Sequence, residues 1–322
     1  MRVLVAGGTE FISLHLVRAL LRDGHAVAAL NRGRRPERVP APVETIVADR
    51  KDHAALARAL AGHRFDAVFD VAYAPTTGAD VSALLDTLGP SLRQAVFVST
   101  GRVYDHALPI PFGEETPRSL YWGEYAKNKI DGEDVLMARY RRDGLPVTLV
   151  RPTHVMGPLN TRNNETFFFD RILRGRPVLV PGAGGWLRQF GHVEDLADAL
   201  AALLGNPRAA GQAYNATGEE AITQAGLVEL IAEIVGRPLT LVPVDPALLT
   251  RVPAGPVFGQ NLVYDCHAVY TTTKLRTELG LRPRYTLASG LAQTYEWYRK
   301  EGLDRRPVDF TTEDALLDLL RP

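Results

Sequence analysis

The first residues of the chain decide its architecture. Arg2-Val3-Leu4-Val5-Ala6 is an apolar strand that runs into Gly7-Gly8-Thr9-Glu10-Phe11-Ile12-Ser13 and then into an apolar helical stretch. A strand, a tight glycine turn and a helix in that order make a seat for a dinucleotide pyrophosphate. The first glycine permits the turn, and backbone N–H groups and the positive end of the helix meet the phosphates. This copy departs from the glycine-rich pattern. Where Gly-x-x-Gly-x-x-Gly is expected, only Gly7 stands in register, and Glu10 and Ser13 take the other two places. Two unit charges about 4 Å apart interact by about 4 kcal/mol at an effective dielectric near 20, roughly three orders of magnitude in affinity. Glu10 is therefore expected to point away from the phosphates or to pair with a basic residue of the Arg32–Arg35 loop. An acid in a first helical turn also suits the helix dipole.

Short Val/Ala/Leu-rich runs alternate with longer helical patterns through the first half. Residues 3–6, 26–30, 44–47, 67–70, 95–99 and 147–151 have the character of strands apolar on both faces, and 11–23, 53–61, 80–88 and 121–142 that of helices. That alternation predicts an α/β fold with a Rossmann-type doubly wound parallel sheet. The second half is broken by prolines and by Gly182-Ala183-Gly184-Gly185. Helices are expected near 166–174, 194–204, 224–235 and 287–301, with short strands near 177–180, 213–215 and 239–243. The expected organisation is a dinucleotide-binding domain over 1–157, to which segments near 188–215 return, and a smaller mixed α/β substrate domain over 158–322.

The 322 residues carry 37 basic and 37 acidic side chains. No charge excess recommends nucleic acid or an anionic membrane as a partner. Cys266 is the single cysteine, so no intrachain disulfide forms, and a reducing, cytoplasmic location is expected. No apolar run approaches the roughly 18–20 residues that span a bilayer. The chain starts on a strand with no cleavable leader pattern, and no His/Cys/Asp/Glu spacing suggests a metal site.

The end of the second strand approaches the adenosine ribose in dinucleotide folds, where an acid suits NAD and arginine suits the extra phosphate of NADP. Here Asn31-Arg32 stand there, with Arg34 and Arg35 close by, so NADP is preferred over NAD; the plain alternative is a solvated basic loop. Asp49, just after the third strand, is a candidate for the adenine amine, or a turn aspartate. Tyr125 and Lys129 lie four apart and so share a helix face. A phenol titrates near 10 in ordinary surroundings, and a neighbouring ammonium favours its ionised form, which makes the pair a tunable proton donor and acceptor. Upstream, Ser99-Thr100-Gly101-Arg102-Val103-Tyr104 puts hydroxyls at the carboxyl end of a parallel strand, where open sheets bind ligands.

These segments carry a resemblance. The Gly7 loop, Asp70-Val71-Ala72, Ser99–Tyr104, Tyr125 with Lys129, Leu149-Val150-Arg151-Pro152 and the following Thr153–Pro158, Arg188–Ala197 and Tyr214-Asn215-Ala216-Thr217-Gly218 occur in order. With them the chain resembles the extended short-chain dehydrogenase/reductases, the NAD(P)-dependent sugar epimerase/dehydratase group. The Gly-Gly-Thr-x-Phe-Ile start and Asn31-Arg32-Gly33 resemble the branch that contains chloroplast stem-loop RNA-binding proteins. The resemblance implies that Thr100 hydrogen-bonds the reacting oxygen, that Tyr125 is the acid/base and that Lys129 activates it and holds the nicotinamide ribose. It assigns cofactor contacts to Gly7, Thr9, Glu10, Phe11, Ile12, Asn31, Arg32, Asp49, Ala72, Lys129 and Pro152. It assigns substrate contacts to Thr100, Arg102, Asn160 and Arg188, the last matching an arginine that meets a diphosphate; a domain-interface salt bridge is the alternative for Arg188. His154 and His192 are expected to be structural.

The implied activity is epimerisation or ketone reduction on a sugar-like, nucleotide-linked small molecule, by a homodimer joined through the Tyr125 helix. Sugar 4,6-dehydratases of the group carry an Asp-Glu pair directly after the catalytic Thr, where this chain has Gly101-Arg102, so dehydration is disfavoured. The alternative from another class is an RNA-binding or scaffold protein on the same fold.

Overall fold

The computed structural model describes residues 1–71, 76–162, 164–245, 247–248 and 266–320. The elements in chain order are β1 Arg2–Ala6, α1 Phe11–Arg22, β2 Ala26–Asn31, β3 Glu44–Val47, α2 His53–Leu60, β4 Ala67–Asp70, α3 Gly78–Leu88, β5 Gln94–Val98, α4 Gly123–Asp143 and β6 Val147–Pro152. There follow β7 His154–Met156, α5 Glu165–Leu173, β8 Val178–Pro181, β9 Leu187–His192, α6 Val193–Ala202, β10 Gln212–Ala216, β11 Ala221–Thr223, α7 Gln224–Val235, β12 Leu241–Val244, α8 Thr273–Leu279, α9 Leu287–Lys300 and α10 Thr311–Leu319.

Seven strands form one sheet in the order β10-β6-β5-β4-β1-β2-β3, with every neighbouring pair parallel. Parallel strands covered by helices are apolar on both faces, and the side chains divide accordingly. Val3 and Val5 of β1, Phe69 of β4 and Val96 and Val98 of β5 enter one core with α1 and α6. Leu4, Ala6, Val68, Ala95 and Phe97 enter the other with α2, α3 and α4. The chain runs one way from β1 to β3 and the other way from β4 to β10. The order therefore reverses between β1 and β4, the point at which open α/β sheets hold ligands at their carboxyl ends.

The chain divides into two compact units. The first is Met1–Val155 with Gly191–Thr217 and Tyr270–Arg284; the second is Met156–Phe190, Gly218–Val269 and Tyr285–Pro322. The second has its own core of Phe167, Phe168, Phe169, Ile231, Leu291, Tyr298 and Leu316. Its strands β8 and β12 pair in parallel, and β11 pairs antiparallel with β9.

Most predicted elements fall within two residues of those observed. The predicted pattern contained no helix at α8 or α10 and no strand at β7, β9 or β11. Among the described residues no helix is long and apolar enough to cross a membrane, and no group of His, Cys, Asp and Glu side chains could hold a metal ion.

Candidate active site

The seat at the end of β1 is built as its residues dictate. The loop needs glycine at Gly7 and Gly8, which take φ of +130° and +93°. Added Cβ atoms there would lie 2.9 Å from Ser13 Cβ and 2.7 Å from Ala29 Cβ. Ser13 is buried and donates its hydroxyl to the Glu10 carbonyl at 2.8 Å, so a small side chain still fits between helix and loop. Glu10 occupies the N-cap at φ −140°, ψ 142°, extended backbone that makes no demand for glycine. Its carboxylate is half exposed and lies 3.2 Å from Arg35 Nη1: the expected partner from the β2 loop is present. Thr9, Phe11 and Ile12 line the same turn, and Phe11 opens α1 at φ +36°, a left-handed value that a bulky residue adopts only under local constraint.

At the end of β2, Asn31 Oδ1 accepts from Gly33 N at 2.8 Å, while its Nδ2 is buried with no hydrogen-bond partner. Arg32 is exposed. Asp49 is exposed and accepts from Lys51 N at 3.0 Å, a turn contact. Its neighbour Arg50 is buried and grips Asp70, at the end of β4, with two bonds of 2.5 and 2.8 Å. Ala72 lies outside the described residues. Pro152 ends β6 beside Ala216 of β10.

The candidate catalytic residues gather at the end of β5. Thr100 is buried, and its hydroxyl accepts from Arg102 N at 3.3 Å. Helix α4 comes close over this strand because residue 132 is glycine: a Cβ there would be 2.7 Å from Phe97 Cζ. That approach seats buried Lys129, whose Nζ donates to the Val98 carbonyl at 2.8 Å and lies 4.8 Å from the centre of the Phe97 ring. Tyr125 is half-buried one turn earlier on α4. The Arg102 guanidinium lies 6.0 Å from the Tyr125 ring and 4.4 Å from Trp122. Thr100, Arg102, Tyr125 and Lys129 are thus brought together within the first unit.

Beneath them runs a buried network that sequence motifs marked but did not explain. Arg151 of β6 holds Glu133 of α4 through Nε to Oε1 at 2.9 Å and Nη2 to Oε2 at 2.7 Å. Its Nη1 donates to the Tyr104 hydroxyl at 3.0 Å, and Tyr104 donates to Asn215 Oδ1 at 2.6 Å. Asn215 Nδ2 in turn donates to the carbonyls of Phe112 and Thr271. Burial pushes the Tyr104 phenol up to about 12. Burial also opposes the charge of Glu133, but the hydrogen bonds and charge of Arg151 outweigh it and hold the carboxyl below its ordinary range.

The remaining candidates belong to the second unit. Arg188 of β9 is buried and donates to the Cys266 carbonyl at 3.0 Å. Asn160 is buried; its Nδ2 donates to Glu165 Oε2 at 3.1 Å, and its Oδ1 accepts from Arg162 N. Glu165 was not foreseen. Burial pushes its carboxyl up from 4.5 to about 7. His192 caps α6 by accepting from Glu194 N at 3.2 Å.

A family model described as the NAD dependent epimerase/dehydratase family matches residues 3–217. The chain belongs to that family. Among its relatives, this epimerase/dehydratase family member is 32% identical to the chloroplast stem-loop binding protein of 41 kDa b of Arabidopsis thaliana, over 98% of this chain and 84% of that protein. It is 30% identical to a dTDP-glucose 4,6-dehydratase of Streptomyces niveus, over 93% of each. Among solved structures, a UDP-glucose 4-epimerase of Thermus thermophilus in complex with NAD superposes with a TM-score of 0.77 at 25% identity, covering 93% of this chain and 99% of that one. A UDP-glucose 4-epimerase of Thermotoga maritima with UDP-glucose has a TM-score of 0.79 at 23% identity, covering 94% and 99%, and supports the fold alone.

Proposed function

We propose that the protein is an NAD(P)-dependent epimerase or ketoreductase acting on a nucleotide-linked sugar, with Tyr125 as acid/base. The observation that carries this reading is the convergence at the end of β5, where Lys129 is anchored on the Val98 carbonyl and Arg102 links the Thr100 turn to the ring of Tyr125. The residues at the β1 and β2 ends fit a dinucleotide. Glycine loop, helix start and the buried unpartnered Nδ2 of Asn31 offer donors, and Glu10 is engaged by Arg35. A bound nicotinamide dinucleotide supplies the hydride acceptor and donor. Gly7, Thr9, Phe11, Ile12, Asn31, Asp49, Ala72 and Pro152 are the proposed contacts, with Lys129 at the nicotinamide ribose. Arg32 and Arg34, exposed and without ion pairs among the described residues, favour the extra phosphate of NADP.

In the reaction, Thr100 donates to the reacting oxygen and the Tyr125 phenol gives or takes its proton. The fixed charge of Lys129 on the same helix face favours the phenolate. Asn160 and Arg188 are the proposed diphosphate contacts. Loss of water is disfavoured although a dehydratase is among the relatives. Neither residue 101 nor 102 is a carboxylate, and a Cβ at Gly101 would lie 2.6–2.9 Å from the Tyr270 ring, so that position has no room for an acid.

Assay of UDP- and dTDP-hexoses with NADP and NAD tests the reading. Tyr125→Phe is expected to lower turnover by about 10³-fold or more while cofactor binding stays within a few-fold. Unchanged turnover in that variant would refute it. A second reading, RNA binding, draws support from the stem-loop-binding relative and from the exposed basic Arg32–Arg38 loop. Phosphate-driven binding to a structured RNA would fall steeply with salt, and its absence at low salt removes that reading.

A further inference from the structure

Arg102 is the odd residue of the site. Its side chain is half-buried and its guanidinium stacks over Trp122, 4.4 Å from the ring centre, and lies 6.0 Å from the ring of Tyr125. Among the described residues that guanidinium has no hydrogen bond and no carboxylate partner; only the Arg102 backbone N–H is engaged, on Thr100 Oγ1. Elsewhere in the interior of this unit arginine is paired with a carboxylate. Arg50 has Asp70 and Arg151 has Glu133, each in a bidentate grip. The aromatic wall is itself held in place. Trp122 meets His106 edge-on at 5.4 Å, and His106 packs on Phe112 at 4.7 Å and on Tyr270 at 6.1 Å. Tyr270 fills the space beside Gly101. A planar cation stacked on a fixed indole keeps its N–H edge directed and spends little freedom on capturing a ligand.

We infer that Arg102 is a specificity residue that selects substrates carrying a carboxylate beside the reacting carbon, so that the favoured substrate is a uronate and not a neutral hexose. The inference rests on the reading of Thr100, Tyr125 and Lys129 as the reacting centre. A guanidinium offers paired donors that match both oxygens of a carboxylate. One cation also balances the single charge of a carboxylate, whereas a phosphate dianion would keep an uncompensated charge.

The test measures binding, not turnover. Calorimetry on the NADP- or NAD-loaded protein compares UDP-glucuronate with UDP-glucose, and dTDP-glucuronate with dTDP-glucose. The wild type is expected to prefer the uronate by at least about 10-fold. Arg102→Gln removes that preference, a loss of about 10-fold or more, the scale of a lost charge-assisted contact. Arg102→Lys, which keeps the charge and loses the fork, retains part of it. Trp122→Leu lowers the preference by a smaller factor, because the guanidinium loses its platform. Thermal unfolding and cofactor titration on each variant separate this from misfolding, since only the uronate-to-hexose ratio carries the result. Equal affinity for the two members of each pair in the wild type, an unchanged ratio in Arg102→Gln, or no binding of any of these compounds overturns the inference. A preserved preference without any hydride transfer would refute the proposed function and leave the role of Arg102 standing.

Discussion

In the first unit, Arg151 and Glu133 meet in a bidentate pair between β6 and α4; in the second, Arg171 of α5 grips Glu313 of α10 in the same way, at 2.7 and 2.6 Å. The geometry is alike and the consequences differ. The first pair continues through Tyr104 and Asn215 to the carbonyls of Phe112 and Thr271. It therefore fixes the helix that carries Tyr125 and Lys129 and the turn that follows Thr100. The second pair, backed by the Phe167 ring 3.3 Å from the Arg171 guanidinium carbon, ties the last helix of the chain to its own core. Buried charge thus reaches the proposed reacting centre in one unit and the helical core in the other.

The sharpest way to break that comparison is to remove one carboxylate from each pair. Glu133→Gln and Glu313→Gln each leave a buried arginine without a counter-charge and are expected to lose about 3–5 kcal/mol in urea unfolding. Only Glu133→Gln should also lower turnover per folded molecule; an equal loss in Glu313→Gln would erase the distinction. Acid gives a second readout. The native carboxyl of Glu133 is held below its ordinary range, so its contribution is present at neutral pH and is lost as pH falls through that lowered value. Glu133→Gln should flatten the acid limb of the stability curve.

Glu165 shows the opposite sign. It is fully buried in the second unit with an amide partner in place of a cation, and burial lifts its carboxyl from 4.5 to about 7. Between those values the native state holds a proton that the unfolded chain releases. Stability should therefore fall as pH rises through that window, by about 3 kcal/mol. Glu165→Gln removes the titration. Its stability relative to wild type is expected to rise by that amount from pH 4.5 to 7.5, measured by chemical unfolding at each pH. A pH-independent difference would mean that the carboxyl is not held protonated.

The legible and the illegible parts of the molecule divide along physical lines. Strands β1, β2, β4, β5 and β6 announce themselves because both faces are buried and the sequence is continuously apolar. Strand β9 does not, since Leu187-Arg188-Gln189-Phe190-Gly191-His192 buries polar side chains that reach carbonyls, Arg188 that of Cys266 and Gln189 that of Gly218. Helices α8 and α10, of seven and nine residues, are too short for a clear period. Tyr104, Arg151 and Asn215 were visible as motif residues. Their common purpose was not, because the partners stand 47 and 111 residues apart in the chain. Nothing marked Glu165, since an acid in a first helical turn is ordinary and only packing reveals its burial.

A smaller effect tests the aromatic wall that replaces an acid after Thr100. Gly101→Ala puts a methyl group against the Tyr270 ring. Overpacking of this kind is expected to cost about 1–3 kcal/mol, and Tyr270→Leu in the same chain should restore most of it. If Gly101→Ala is neutral on its own, Tyr270 yields easily and the argument against an acid at this position weakens.

The smallest expected effect concerns the residue that most departs from the glycine pattern. A carboxylate at position 10 facing the phosphates without compensation would cost about three orders of magnitude in affinity. Here Glu10 and Arg35 are 47% and 43% exposed and 3.2 Å apart, a surface pair of the kind that contributes about 1 kcal/mol or less. The backbone at Glu10 is extended, so glycine can replace it without a change of conformation. Glu10→Gly is accordingly expected to tighten NADPH binding by no more than about tenfold, and Arg35→Ala to weaken it by a similar or smaller factor, because the carboxylate is then unopposed. In the Glu10→Gly background the Arg35 substitution should lose most of its effect, and both single effects should shrink as salt is raised. Weaker binding by Glu10→Gly would sink the repulsion argument and make the carboxylate part of the seat.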